Sequence, residues 1–128
     1  MKRIITFGTF DLFHIGHLNI LKRCKDEGEY LIVGISSDEL NSKKGKTSII
    51  SLHDRMEIVK SIKYVDEVFV EESLDDKDNY IKKYKADMLI MGDDWLDKFN
   101  WVSCNVKYLE RTPNISSSHL KEIFKNNI

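Results

Sequence analysis

A short apolar run, a turn flanked by glycines and an amphipathic segment follow one another near the amino terminus, and few folds accommodate that order. The run Arg3–Phe7 is rich in β-branched residues, which predicts a buried strand. Beyond the turn, Ile15, Leu18 and Leu21 recur at helical spacing. A strand that leads directly into a helix is typical of α/β domains, where such turns bind anions.

Two histidines, His14 and His17, lie in the first turn of the predicted helix. Because they are three residues apart, their side chains project from one face, beside the unpaired backbone N–H groups and the positive end of the helix dipole. Gly8 and Gly16 carry no Cβ, so the backbone or a ligand can come close to them. The segment therefore predicts a triphosphate site. The alternative is an ordinary turn with two solvated histidines.

The composition describes one ordinary globular domain, residues 1–128. The hydrophobic fraction is 41% and the net charge is −1, so the chain as a whole has no attraction for nucleic acid or for an anionic membrane. Any anion site must therefore be local. The two cysteines match no metal spacing, and no apolar run reaches membrane-spanning length. With no signal peptide in view, we expect a cytoplasmic protein.

Five short apolar runs alternate with helical patterns along the chain. This order predicts a doubly wound α/β domain with a five-stranded parallel sheet, in which ligands bind at the carboxyl ends of the strands. The predicted strands are Arg3–Phe7, Tyr30–Ser36, Val65–Val70, Asp87–Met91 and Asn105–Leu109. A mobile basic loop is expected over residues 37–50, and a closing helix over 116–126 with Leu120, Ile123 and Phe124 turned inward.

Basic residues follow the second predicted strand. Lys44 and Lys46 lie in the basic loop, and Arg55 lies on the helix after it. Charge-assisted contacts to phosphate oxygens are strong, and a loop that closes over a substrate excludes water. These residues are candidate phosphate ligands. The alternative is a solvated basic loop.

Two further clusters follow the fourth and fifth strands. In Gly92–Trp95, the carboxylate of Asp94 can accept a hydrogen bond from the cytosine amine, which uracil lacks, and Trp95 can supply a planar wall. The alternative is a turn capped by aspartate, with the tryptophan in the core. Beyond the fifth strand, Arg111 needs an anionic partner, and Ser116 is a candidate N-cap that leaves further N–H groups for phosphate.

Taken together, these clusters resemble known families. The segment ending in His14-Ile15-Gly16-His17 resembles the HxGH signature of the nucleotidyltransferase superfamily. Four motifs in register resemble the glycerol-3-phosphate cytidylyltransferases over almost the whole chain: Gly8–His17, Tyr64–Val68, Met91–Trp95, and Arg111-Thr112 followed by Ile115–Ser117.

The resemblance implies a Rossmann-like homodimer that converts CTP and a phosphorylated alcohol, best glycerol 3-phosphate, into a CDP-alcohol and pyrophosphate. It also implies Mg²⁺, held mainly by the CTP phosphates, with Asp11 as a possible ligand. The product would serve the synthesis of a cell-surface polymer, such as capsule or teichoic acid. No nucleic acid or membrane partner is expected.

The resemblance also implies roles for individual residues. The catalytic residues would be His14, His17, Lys44, Lys46 and Arg111. The nucleotide would be bound by Gly8, Thr9, Phe10, His14, His17, Gly92, Asp94, Arg111, Thr112, Ile115 and Ser116. The acceptor would be bound by Asp11, Lys44, Arg55, Lys63, Asp66 and Trp95.

Departures from the family pattern leave the acceptor open. Lys63 stands where the family usually has arginine, Pro113-Asn114 replaces a pair that more usually ends in glycine, and Ser117 replaces a frequent threonine. Other acceptors remain alternatives: the phosphates of ribitol, ethanolamine, choline or an amino-acid-derived alcohol. Outside cytidylyl transfer, the alternatives are an ATP-using adenylyltransferase and a non-catalytic nucleotide-binding module.

Overall fold

The computed structural model describes residues 1–113 and 115–127. Five parallel strands form one sheet: β1 (Arg3–Gly8), β2 (Tyr30–Ser36), β3 (Glu67–Glu71), β4 (Met88–Gly92) and β5 (Asn105–Leu109). The helices are α1 (Ile15–Asp26), α2 (Asp38–Lys43), α3 (Leu52–Lys60), α4 (Lys77–Lys83) and α5 (Ser117–Asn127). Short 3₁₀ turns cover Leu74–Asp76 and Asp93–Trp95.

The strand order is β3-β2-β1-β4-β5, so β1 lies at the centre of the sheet. Successive residues of a strand point to opposite faces, and the core is accordingly divided into two layers. Ile4 packs in one layer with Leu31, while Ile5 packs in the other with Ile32. The turn that follows β1 therefore lies at the middle of the carboxyl edge.

The predicted fold class is confirmed, because the sheet has five parallel strands within one α/β domain. The bounds of β2 and β5 are those that the sequence predicts. The strands β3 and β4 begin one or two residues later than predicted. Among the described residues, no helix combines the length and the apolar character needed to cross a membrane.

The segment expected to be a mobile basic loop begins instead with helix α2. Ser37 caps this helix, since its hydroxyl accepts the backbone N–H of Leu40 at 3.0 Å. Asp38 and Glu39 favour the first turn through the helix dipole. Leu40 and Asn41 are buried, so tertiary packing holds a helix that is too short to show periodicity.

Helix α5 is present, but the prediction that Ile123 and Phe124 turn inward is wrong. Ile123 is 41% exposed and Phe124 is 50% exposed, while Leu120 is half-buried. The helix is anchored at its amino-terminal half, where Lys121 forms an ion pair with Asp11. The apolar residues beyond this anchor lie at the surface of the single chain.

Candidate active site

One large cavity, about 680 Å³ in volume, opens at the carboxyl edge of the sheet. Every residue predicted to bind nucleotide lines it: Gly8, Thr9, Phe10, His14, His17, Gly92, Asp94, Arg111, Thr112, Ile115 and Ser116. Lys44, Lys46, Asp11 and Trp95 line it as well. The strand ends thus bring together residues up to 108 positions apart (from Gly8 to Ser116), as expected for a doubly wound sheet.

The two histidines cap helix α1 reciprocally. His14 is the N-cap, and its Nδ1 accepts the backbone N–H of Gly16 at 3.0 Å. The Nδ1 atom of His17 accepts the backbone N–H of His14 at 3.1 Å. Their rings stack with centroids 3.9 Å apart and planes 25° from parallel. This is the geometry of a capping box, with imidazoles in place of the usual hydroxyl and carboxylate.

Both rings are neutral at neutral pH. Burial lowers the pKa of His14, and burial together with the adjacent His14 lowers the pKa of His17 to about 3, against an opposing effect of Asp11. Because each Nδ1 accepts a hydrogen bond, the ring proton lies on Nε2. The Nε2 atom of His14 is buried and has no hydrogen-bond partner within the described residues. A buried N–H group without an acceptor destabilises the folded protein by about 1–3 kcal/mol, and a hydrogen bond to a ligand oxygen would recover this free energy.

The turn between β1 and α1 is strained. Phe10 has φ = 55° and Leu12 has φ = 49°, a left-handed conformation that non-glycine residues rarely adopt. The ring of Phe10 packs 5.4 Å from that of His17, which accounts for part of the burial of that histidine. At Gly16 an added Cβ would lie 2.8 Å from Cε1 of His14, so glycine leaves room for the ring.

Asp11 is occupied by protein contacts. Its Oδ1 accepts the N–H groups of Ile50 (2.8 Å) and Leu12 (3.1 Å), and its Oδ2 accepts the N–H of Ile49 (2.8 Å) and pairs with Lys121 at 3.0 Å. Burial raises the pKa of this carboxyl group, but these hydrogen bonds outweigh burial and hold the pKa below its ordinary value. These contacts give Asp11 a role in holding the basic segment against α5, while its contact with the acceptor or a metal stays a prediction.

Arg55, which is predicted to contact the acceptor, is not among the residues that line the cavity. It is fully buried, and its guanidinium donates to the carbonyl oxygens of Thr9 and Ser36 (both 2.8 Å) and Ile50 (3.0 Å). It also forms a 2.7 Å ion pair with Asp38. Arg55 thus holds the carboxyl ends of β1 and β2 together from outside the cavity.

Lys63 and Asp66 are not among the residues that line the cavity, and their contact with the acceptor stays a prediction. Both precede β3, whose carboxyl end is the one that faces the site. Asp66 accepts the backbone N–H of Leu31 at 2.8 Å and pairs with Lys25. The lysine-for-arginine departure at position 63 therefore leaves the described cavity unchanged.

The buried amide of Asn41 organises the basic segment. Its Oδ1 accepts the hydroxyl of Thr9 at 3.0 Å, its Nδ2 donates to Ser48 at 2.7 Å, and its carbonyl accepts the N–H of Lys46 at 2.8 Å. Lys44 is half-buried, and burial together with Lys46 lowers its pKa to about 8. The two lysines therefore enter the cavity wall from a fixed segment.

Sequence reasoning missed Lys77 and Glu71, a buried ion pair in the cavity wall. Both side chains are 1% exposed, and Lys77 Nζ lies 4.0 Å from the ring centroid of Phe7. A signal was present, because Glu71 ends β3 and the carboxyl ends of parallel strands meet at the site. The acidic composition of residues 71–78 obscured it.

The segment after β5 closes the cavity on the side opposite to the lysines. Thr112 accepts a hydrogen bond from Asn19 of α1 at 3.1 Å, and Ser116 accepts the backbone N–H of His119 at 3.0 Å, as an N-cap does. Ser117 donates its hydroxyl proton to the carbonyl of Asp11. Arg111 is exposed and also lines a second cavity of about 270 Å³. The departure at Asn114 lies outside the described residues.

Known proteins are similar to this chain in sequence and in fold. A family model described as cytidylyltransferase-like matches residues 5–123. The glycerol-3-phosphate cytidylyltransferase of Bacillus subtilis (strain 168) is 45% identical over 124 residues, 95% of this chain and 96% of the relative. Its namesake in Staphylococcus aureus (strain NCTC 8325 / PS 47) is 41% identical over 95% of this chain and 94% of the relative.

A solved structure supports the fold. The lipopolysaccharide core biosynthesis protein of Thermoplasma volcanium GSS1 superposes with a TM-score of 0.76, covering 88% of this chain and 98% of its own, at 23% identity. The family model and the relatives confirm the family that the four sequence motifs predict, and the solved structure confirms the fold. The chain belongs to the cytidylyltransferase-like family, in the group of the glycerol-3-phosphate cytidylyltransferases.

Proposed function

We propose that this chain transfers the cytidylyl group of CTP to glycerol 3-phosphate, giving CDP-glycerol and pyrophosphate. The observation that carries the proposal is the neutral His14 ring, whose buried Nε2 lacks a partner among the described residues at the wall of a cavity lined by lysines. A non-catalytic nucleotide sensor has no need of such a donor. The relatives at 41–45% identity favour glycerol 3-phosphate among the possible acceptors.

The two sides of the cavity differ in charge. Lys44, Lys46 and Lys77 lie beside the ends of β2 and β3, while Asp94 and Arg111 lie beyond β4 and β5. The histidines follow the central strand and stand between the two groups. We therefore assign the acceptor phosphate to the lysine side and the nucleoside to the other, so that the α-phosphate of CTP lies at the histidines.

The proposed reaction needs no general base. An oxygen of the acceptor phosphate, whose second pKa is about 6, is already ionised near neutral pH. It attacks the α-phosphorus of CTP, a new P–O bond forms, and the bond to the bridging oxygen of the β-phosphate breaks as pyrophosphate leaves. The protein's work is to bring two anions together and to donate hydrogen bonds to the charged phosphate oxygens. His14 and His17 are placed to donate, and the lysines to offset the repulsion.

Magnesium is proposed to enter as a complex with CTP, the nucleotide phosphates being its main ligands. Within residues 1–113 and 115–127, no group of three or more His, Cys, Asp or Glu side chains is arranged to hold a metal. The oxygens of Asp11 are engaged by backbone N–H groups and Lys121.

The test is pyrophosphate release with CTP and a panel of phosphoalcohols, followed by identification of the CDP-alcohol. We expect the highest kcat/KM for glycerol 3-phosphate. A preference for phosphoribitol, phosphoethanolamine or phosphocholine would change the acceptor in the proposal and leave cytidylyl transfer from CTP in place. Turnover with ATP in place of CTP would indicate an adenylyltransferase, and no turnover with any pair would leave a binding module. Cytoplasmic location and a homodimer stay predictions, to be checked by fractionation and sedimentation.

A further inference from the structure

One buried carboxylate connects two lysines of the cavity wall. The Oε2 atom of Glu71 pairs with Nζ of Lys77 at 2.5 Å. Its Oε1 accepts the hydroxyl proton of Ser36 at 3.4 Å, and that hydroxyl oxygen in turn accepts a hydrogen bond from Nζ of Lys44 at 3.0 Å. Ser36 and Glu71 end the neighbouring strands β2 and β3, so the sheet itself fixes the distance between them.

The ion pair of Glu71 with Lys77 is buried. Glu71 and Lys77 are each 1% exposed, and Lys77 Nζ lies 4.0 Å from the ring centroid of Phe7 and 4.6 Å from that of Phe99. Burying an ion pair costs desolvation energy that its attraction seldom exceeds, so the pair is poorly explained as a device for stability. It does hold the Lys77 ammonium in one orientation at the cavity wall.

We propose that Glu71 is a positioning residue of the acceptor site: it holds the ammonium groups of Lys44 and Lys77 at a fixed spacing and keeps both charged before the acceptor phosphate binds. It need not touch a substrate itself. The inference rests on the proposed function, since it takes the lysine side of the cavity as the acceptor phosphate site. Donors arranged before binding cost less to order when the anion arrives.

The charges around Lys44 explain why a carboxylate is needed there. Burial lowers the pKa of Lys44, and Lys46, Lys77 and Arg55 lower it further, whereas Glu71 raises it. Burial also lowers the pKa of Lys77, against the opposing effect of Glu71. Without the negative charge both pKa values fall, and Lys44 then loses its proton at a lower pH. The acceptor phosphate would meet fewer positive charges.

Steady-state kinetics of Glu71→Gln tests the proposal. We expect KM for glycerol 3-phosphate to rise about tenfold while KM for CTP changes by less than about threefold. In the pH profile of kcat/KM for the acceptor, the decline at alkaline pH should begin at a lower pH in Glu71→Gln than in the wild type. Glu67→Gln is the matched control, because Glu67 lies at the other end of β3 and accepts a hydrogen bond from Tyr30 outside the cavity. It should leave both KM values and the pH limb unchanged.

A second variant covers the case in which Glu71→Gln fails to fold. Ser36→Ala breaks the connection to Lys44 and leaves the pair of Glu71 with Lys77 in place. We expect a smaller rise in KM for glycerol 3-phosphate, again with little change in KM for CTP. In the double variant the two effects should be less than additive, because both act on Lys44.

The outcomes separate the inference from the proposed function. A wild-type chain that forms no CDP-glycerol overturns the proposed function. A wild-type chain that forms it, with a Glu71→Gln variant whose acceptor KM and pH limb are unchanged, overturns the inference alone. Equal rises in both KM values, with a lowered melting temperature, would show a merely structural role and would also overturn it.

Discussion

The imidazoles of His14 and His17 each use Nδ1 to cap helix α1, and the rings stack at 3.9 Å. One atom of each ring therefore serves the fold, and Nε2–H is left for chemistry. A single residue type thus fixes the start of the helix and, in the proposed reaction, supplies the hydrogen-bond donor to phosphate. The two roles can be separated by substitution.

Asparagine at position 14 separates capping from catalysis. In His14→Asn the side-chain oxygen can accept the N–H of Gly16 as Nδ1 does, but nothing replaces Nε2–H. We expect kcat to fall by about a hundredfold, as when an oxyanion donor is lost. The free energy of unfolding should not fall in His14→Asn, because the cap is kept and the unpaired Nε2–H is removed, whereas His14→Ala also loses the cap, which contributes about 1 kcal/mol.

Urea denaturation and single-turnover kinetics on the two variants provide the measurement. His17→Ala is expected to lose kcat by about the same factor as His14→Ala, because both rings face the same cavity. Near-normal kcat in His14→Asn would remove this ring from the mechanism.

The low pKa of His17 makes a prediction about pH. Burial and the neighbouring His14 lower this pKa to about 3, so the ring stays neutral throughout the working range. The acid limb of kcat/KM should then report the second ionisation of the acceptor phosphate, near pH 6. Replacing glycerol 3-phosphate by its phosphonate analogue, which is more basic, should move the limb upward. A limb that stays in place would assign the titration to the enzyme.

The lowered pKa of His17 also makes the free energy of unfolding depend on pH. The folded-state pKa of His17 lies below the ordinary value of 6.5, so the unfolded chain binds the extra proton. Stability is therefore lost as pH falls below about 6.5, by at most about 1.4 kcal/mol per pH unit for one group. His17→Gln should show a shallower decline between pH 6.5 and 5 in urea titrations. Equal slopes in the two proteins would contradict the assignment.

The fold was predictable because its main signals are local. The unbroken apolar run of β2 predicts a strand covered on both faces, and Tyr30–Ser36 is the strand observed. The cavity was predictable because strand ends converge, which placed His14, Asp94 and Arg111 together. These inferences need only the order of the elements and the direction of the chain.

The sequence does not show where a charged side chain is already satisfied by tertiary contacts. The charge of Arg55 suggested a phosphate, but its partners are carbonyl groups of distant segments and Asp38. The charge of Asp11 suggested a ligand or metal, but backbone N–H groups and Lys121 occupy it. The pairing of Glu71 with Lys77 becomes visible only once β3 and α4 have packed.

Asp11 should prove to be a clamp between the basic segment and helix α5. Asp11→Asn removes the charge that Ile49, Ile50 and Lys121 contact, and we expect a loss of about 2 kcal/mol in the free energy of unfolding. Lys121→Gln removes the ion pair with Asp11 and the hydrogen bond to the carbonyl of Thr47, but it leaves the N–H groups of Ile49 and Ile50 in place, so it should cost less. Urea denaturation of the three proteins at neutral pH measures both effects.

The stabilisation by Asp11 should depend on pH with a definite sign. Its folded-state pKa is held below the ordinary 3.8, so the contribution is complete above that value and is lost as pH falls through the lowered pKa. Wild type and Asp11→Asn should therefore converge in stability at low pH. A gap that stays constant from pH 7 to 3 would show that the carboxylate charge is not what clamps the segment.

Asp94 is expected to distinguish CTP from UTP. It lines the cavity after β4, and its carboxylate can accept a hydrogen bond from the exocyclic amine of cytosine, whereas uracil presents a carbonyl that it would repel. The amide of Asp94→Asn can donate to that carbonyl as well as accept from the amine. We expect the ratio of kcat/KM for CTP over UTP to fall by about tenfold or more, since a good base contact contributes about 1–3 kcal/mol of discrimination. Asp93→Asn is the matched control, because the neighbouring carboxylate does not line the cavity. If the selectivity ratio moved equally in both variants, or in neither, Asp94 would not be the residue that reads the base.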